Sequence, residues 1–97
     1  MEAVKKIEIV TDSAELPNVI RALEDLGVSG YTVIRDVEGR GGRGIRSGDG
    51  FTDVFKNSYV MTACPADQVA AIVSAVRPML TRFGGVALVS DCAWVKH

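Results

Sequence analysis

The chain has 97 residues, a net charge of -1, 47% hydrophobic residues and 24% charged residues. That length allows one domain with a modest core and no second lobe. The composition suits a soluble globular protein, and the near-neutral balance excludes a general attraction to nucleic acid or anionic lipid.

The opening residues, MEAVKKIEIV, hold no apolar run of signal-peptide type. No stretch approaches the roughly 20 apolar residues of a membrane helix. Cys64 and Cys92 lie far apart, without CxxC spacing or a neighbouring histidine. They read as free thiols of a reducing cytoplasm, and no metal site is expected.

In chain order, Val4 to Val10 alternates in polarity and reads as a half-buried strand. Asp12 or Ser13 offers a cap to a helix with Pro17 in its first turn. Leu16, Val19, Ile20, Leu23 and Leu26 form its apolar face, and Gly27 ends it. Gly30 to Val37 reads as a second strand and Lys56 to Cys64 as a third. Both central strands are apolar or small on both faces, whereas one helix layer covers only one face. Self-association is the economical cover for the other. Pro65 opens a second helix whose buried stripe is Val69, Ile72, Val73 and Val76, and Pro78 is expected to kink or end it. A fourth strand is expected from Val86 to Val89, then a separate short extended piece from Cys92 to Lys96. The order βαββαβ predicts an α+β fold, ferredoxin-like, with both helices on one face of an antiparallel sheet.

Two segments carry chemistry. Between Gly39 and Gly50, six of twelve residues are glycine and three are arginine: Arg40, Arg43 and Arg46. Glycine lets the backbone approach a ligand, and guanidinium forks suit phosphate or carboxylate oxygens. The segment reads as an anion-binding loop. The plainer alternative is a hairpin with solvated arginines, and long loops of this kind are usually functional or disordered. The second segment is Phe83-Gly84-Gly85, where backbone N–H groups can form an anion nest or merely a helix-to-strand turn.

Other chemistries fit less well. Gly39-x-Gly41-x-x-Gly44 matches a dinucleotide fingerprint in letters, but no helical pattern opens at its third glycine. Arg40-Gly41-Gly42 resembles one RGG unit, so a small RNA-binding ferredoxin-like module is the alternative from another class. Such a module needs exposed aromatics on the two central strands, and Tyr31 and Tyr59 are the only candidates. No acid–base or nucleophile constellation emerges, so the chain reads as non-enzymatic.

Gly30-Tyr31-Thr32-Val33 leading into the loop, Pro65 after the third strand and the glycine turn before the fourth resemble PII-like signalling proteins. The likeness spans Val4 to Val89. It is closest to the branch associated with inorganic-carbon uptake and the carboxysome, whose Gly-x-Arg-x-x-Arg-Ser loop matches Gly41 to Ser47. The resemblance implies a single domain over residues 1–97, with a T-loop at about 38–55 and a B-loop at about 81–85. It implies a cytoplasmic homotrimer, carboxysome-associated or recruited to a membrane transporter, that binds adenine nucleotide between subunits. It implies no nucleic acid, and a transporter or carbon-fixation protein met through the T-loop.

By the same resemblance, nucleotide contacts fall on Thr32, Gly39, Gly41, Arg43, Arg46, Thr62, Ala63, Phe83, Gly84 and Gly85. One extra residue precedes Gly39 relative to the family. Bicarbonate, a small planar anion, is expected on Arg40, Gly41, Gly42 and Arg46. The departures favour ADP or AMP over ATP. The B-loop lysine after the glycines is replaced by Val86, and the basic residues that follow the family's fourth strand are missing. A triphosphate thereby loses charge-assisted bonds worth roughly 1.5–3 kcal/mol each. The tyrosine used for uridylylation and the glutamine needed for a 2-oxoglutarate response also have no counterpart.

Overall fold

The computed structural model describes residues 1–39 and 56–97. The elements are β1 (Glu2–Asp12), a 3-10 turn (Ser13–Glu15), α1 (Leu16–Asp25), β2 (Thr32–Val37), β3 (Asn57–Cys64), a second 3-10 turn (Ala66–Gln68), α2 (Val69–Phe83) and β4 (Gly85–Trp94). The four strands form one antiparallel sheet in the order β2-β3-β1-β4. This is the expected ferredoxin-like βαββαβ arrangement.

Alternation along the strands decides which side chains meet the helices. Ile7, Ile9, Val60 and Cys64 pack under Leu16, Val19, Leu23, Ile72 and Val76 to make the core. Ile20, Val28, Val33, Val69, Met79, Leu80 and Ala87 are partly buried around it. Leu26, expected on the buried face of α1, is 37% exposed because it already lies at the cap.

Helix ends follow the local chemistry. Asp12 supplies the cap at the start of the first 3-10 turn, its carboxylate accepting from the Ala14 N–H at 2.9 Å. Ser13 bonds elsewhere. At the other end of α1, the Gly27 N–H donates to the Glu24 carbonyl at 3.0 Å and the Val28 N–H to the Leu23 carbonyl at 3.2 Å. With Gly27 at φ 74°, this is a Schellman cap.

Two expectations are corrected. Pro78 does not end the second helix, which continues to Phe83. The proline lies on the exposed side, so the Ser74 carbonyl it leaves without a donor faces water rather than the core. The fourth strand is one continuous element rather than two pieces. β1 is long enough to pair with it from Thr11 opposite Gly85 to Glu2 opposite Trp94. The polar Ser90-Asp91 step that suggests a break is held across the ladder, where the Lys5 ammonium donates to the Asp91 carboxylate.

Among the described residues, no helix lies over the second face of the sheet. That face presents Val10 from β1 and Tyr59, Met61 and Ala63 from β3, the two central strands, whereas β2, expected to be central, lies at an edge. Ile34, Val86 and Leu88 lie on the flanking strands and are 52%, 43% and 54% exposed. Among the described residues, no helix is long and apolar enough to cross a membrane.

Candidate functional site

Registers place several features level at one end of the sheet. Thr11 lies opposite both Ser58 and Gly85, and Asn57 lies opposite both Asp12 and Val37. The residues that flank the segment between β2 and β3, the end of β1 and the Gly84–Gly85 turn therefore share one edge of the molecule.

The chain leaves β2 through a bulge. Ile34 pairs with Tyr59 and Val37 with Asn57, so three steps on β2 match two on β3. Asp36 takes φ 58°, a left-handed conformation that aspartate tolerates better than most residues. The bulge absorbs one residue, which equals the offset before Gly39. The chain just before β3 is tied to the first 3-10 turn. The Ser13 N–H donates to the Lys56 carbonyl at 2.9 Å, and the Ser13 hydroxyl lies 2.7 Å from that of buried Ser58.

The glycine turn is tightly built. Gly84 sits at φ 86° and ψ 167°, a region essentially limited to glycine. Its N–H donates to the Leu80 carbonyl at 2.8 Å, and its carbonyl accepts from the buried Thr11 hydroxyl at 2.9 Å. Gly85 sits at φ 126°, and a Cβ there would stand 2.3 Å from the Val10 carbonyl oxygen. Gly84 thus has a conformational reason and Gly85 a packing one, the close crossing of the turn over β1. Phe83 is 42% exposed beside them, with the Arg82 guanidinium 5.7 Å from its ring centroid.

The remaining expected residues lie toward the opposite end. Thr32 begins β2 opposite Met61, and Ala63 lies opposite Lys6 on the uncovered face. Thr62 is 2% exposed and its hydroxyl donates to the Gly30 carbonyl at 2.6 Å, so its side chain is already engaged within the fold. The β2–β3 ladder stops at Thr32–Met61, leaving Thr62 and Ala63 beyond it. From the level of Lys6 to that of Thr11 is five residues of β1, about 17 Å at a strand's rise. One chain therefore does not gather Thr62 and Ala63 with Gly84 and Gly85 in a compact pocket. Arg40, Gly41, Gly42, Arg43 and Arg46 lie outside the described residues, and Gly39 is the last described residue before them.

On the uncovered face, the Tyr59 hydroxyl donates to the Glu8 carboxylate at 2.7 Å, and the Lys6 ammonium lies 3.8 Å from the same carboxylate. That hydrogen bond holds the Tyr59 phenol above its ordinary pKa. No group of acidic, histidine and cysteine side chains among the described residues could hold a metal ion. Sequence reasoning missed two structural parts of the site. The Thr11 clamp has only a polar residue on the buried side of a strand as its signal, and the Asp36 bulge has only an acidic residue near a strand end.

An antiparallel βαββαβ sheet with one helix layer, a glycine–arginine segment between β2 and β3, and a glycine turn before β4 define a ferredoxin-like protein of the PII type. The sequence matches Nitrogen regulatory protein P-II over residues 4–97, and the chain belongs to that family.

Among solved structures, the chain is similar to CPII, a nitrogen regulatory PII-like protein from Thiomonas intermedia K12. Against CPII bound to ADP and bicarbonate, identity is 26% and the TM-score 0.78, covering 93% of this chain and 86% of that one. Against CPII bound to ADP, AMP and bicarbonate, identity is 25% with the same TM-score of 0.78 and the same coverage, 93% and 86%. A PII-like signaling protein from Thermus thermophilus is 23% identical with a TM-score of 0.72, over 94% of this chain and 88% of that one, and speaks to the fold alone. No curated protein matches the chain.

Proposed function

We propose that this chain is a non-enzymatic regulatory protein that binds ADP and AMP in preference to ATP, responds to bicarbonate, and signals through the segment between β2 and β3. The observation that carries the reading is the similarity to CPII, bound to ADP and bicarbonate, across nearly the whole fold. PII-like proteins are generally trimers that bind adenine nucleotides. In this reading, three copies cover the apolar sheet face, and nucleotide lies in the clefts between them.

The split of the site supports that arrangement. Backbone at Thr62 and Ala63 lies about 17 Å along the sheet from the glycine turn, a span suited to an extended nucleotide or to parts from two copies. Arg43 and Arg46 hold phosphates, the Gly84–Gly85 turn supplies backbone, and Arg40, Gly41, Gly42 and Arg46 receive bicarbonate. An arginine between two anions offsets their repulsion. Ligand-dependent ordering of the loop acts as a switch only through differential affinity for its states. The partner is a transporter or carbon-fixation protein met in the cytoplasm or at the carboxysome.

The RNA-binding alternative is disfavoured. Tyr59 is the sole aromatic residue on the central strands β1 and β3, and its hydroxyl is engaged by Glu8.

Equilibrium dialysis with ADP, AMP and ATP tests the proposal. Arg46→Ala is expected to weaken ADP binding by roughly 1.5–3 kcal/mol. An unchanged isotherm in a folded variant removes Arg46 from the site.

A further inference from the structure

Buried hydroxyls gather where the sheet meets the glycine turn, at positions where packing alone does not call for them. Thr11 and Ser58 face each other across β1 and β3 and are 1% and 0% exposed. They continue the row that holds Ile9 and Val60 in the core one step inward. Valine and alanine fill such positions without a hydroxyl that must find a partner.

Each hydroxyl is engaged, and together they join four parts of the chain. Thr11 donates to the Gly84 carbonyl at 2.9 Å. The Ser58 hydroxyl lies 2.7 Å from that of Ser13, whose N–H donates to the Lys56 carbonyl at 2.9 Å. Facing residues of an antiparallel pair carry their Cβ atoms about 4.5–5.5 Å apart, so Thr11 and Ser58 stand side by side. A continuous line therefore runs from the glycine turn through β1 and β3 to Lys56. That residue leads the chain out of the glycine–arginine segment into β3.

Stability does not account for the serine pair. Replacing both partners of a buried hydrogen bond with apolar groups is nearly neutral, so two methyl groups hold the fold about as well. What the pair adds is geometry, because a fully satisfied polar network specifies one arrangement. Gly84 cannot shift without disturbing the Thr11 hydroxyl that its carbonyl accepts, and a close-packed interior transmits such strain.

We propose that the Ser13–Ser58 pair is a positioning link that sets Lys56 according to what occupies the Gly84–Gly85 turn. Nucleotide at the turn is thereby registered where the chain enters β3. The link rests on the reading that ADP meets the glycine turn, and it adds a route by which that binding reaches the segment between β2 and β3.

The test follows amide shifts of the full 15N-labelled chain titrated with ADP. It compares wild type, Ser13→Thr and the double variant Ser13→Ala/Ser58→Ala. The double variant removes both partners together, so neither hydroxyl is left buried and unpaired and the fold is expected to be kept. In wild type, saturable shifts are expected at Gly84 and Gly85 and, with the same midpoint, at Ser13 and Lys56. In the double variant, the shifts at the turn are expected to persist while the Lys56 shift is lost. Ser13→Thr keeps the hydroxyl and is expected to respond as wild type does. An equal Lys56 shift in the double variant means direct contact with ligand and overturns the link. Wild-type shifts confined to the turn also overturn it and leave the nucleotide reading standing. No saturable shift at Gly84 or Gly85 overturns both.

Discussion

The Thr11 hydroxyl donates to the Gly84 carbonyl at 2.9 Å, joining the end of the first strand to the turn that follows the last helix. Thr11 is 1% exposed and Gly84 is buried, so the bond lies where water cannot replace it. Thr11→Val removes the donor and leaves a buried carbonyl without its partner. A loss of about 1–3 kcal/mol is expected in urea unfolding, with Thr11→Ser recovering part of it. Equal midpoints for wild type and Thr11→Val contradict the clamp.

Gly85→Ala tests the same crossing by steric means. The new methyl meets the Val10 carbonyl oxygen at 2.3 Å, in a backbone conformation that L-residues rarely adopt. Strain and overpacking together are expected to cost roughly 2–5 kcal/mol. Gly39→Ala meets nothing within 4 Å and serves as the control. Thermal unfolding separates the two, and similar melting temperatures contradict the packing account.

The uncovered sheet face is expected to hold copies together. The wild-type chain is predicted to sediment near three times 10.4 kDa. Leu88→Lys places a charge at a position that is 54% exposed in the isolated chain. This variant is expected to sediment as a monomer with its far-UV spectrum retained. A wild-type monomer at micromolar concentration removes the intersubunit cleft.

Burial first, and Asp67 second, push the Cys64 thiol above its ordinary pKa. The sulfur belongs to a residue 2% exposed in the core. Little thiolate forms at pH 8, so labelling of Cys64 by a thiol reagent is expected to be slow and to speed up in urea. Rapid native labelling at Cys64 contradicts its placement.

The Lys5–Asp91 pair gives a sign for pH dependence. Lys5 donates to Asp91 and lowers that carboxyl below its ordinary 3.8. A lowered acid pKa contributes stability above the unfolded value, and the contribution is lost as pH falls through the folded one. Asp91 is highly exposed, so solvent screens the effect and it is small. Asp91→Asn is expected to be slightly less stable than wild type at pH 7, and equal to it once Asp91 is protonated in both the folded and the unfolded chain. A difference that persists at that acid limit assigns it to something other than this pair.

The fold was legible because its signals are local. Alternation over Ile7 and Ile9, the stripe through Val19 and Leu23, and Gly27 at a helix end all state their conformation within a few residues. What the sequence hid depends on partners far along the chain. Ser90-Asp91 reads as a gap between two extended pieces until β1 is seen to extend to Glu2 and bring Lys5 opposite Asp91. Pro78 reads as a kink or a stop, and its exposed position lets the helix pass it without stopping. At the site, the glycines of the turn were legible as glycines, but their reason, contact with Val10 and Thr11 across the fold, was not. The arginine segment was legible by composition and family likeness, and Arg40, Arg43 and Arg46 lie outside the described residues.

The measurement closest to the central claim is a calorimetric titration of ADP into the protein, with bicarbonate exchanged for chloride at constant ionic strength. Saturable binding near one ADP per chain is expected in both buffers, tighter with bicarbonate present, together with greater protease resistance of the segment between β2 and β3. An affinity indifferent to bicarbonate removes the response to inorganic carbon and leaves nucleotide sensing. No saturable ADP binding in either buffer contradicts the account as a whole.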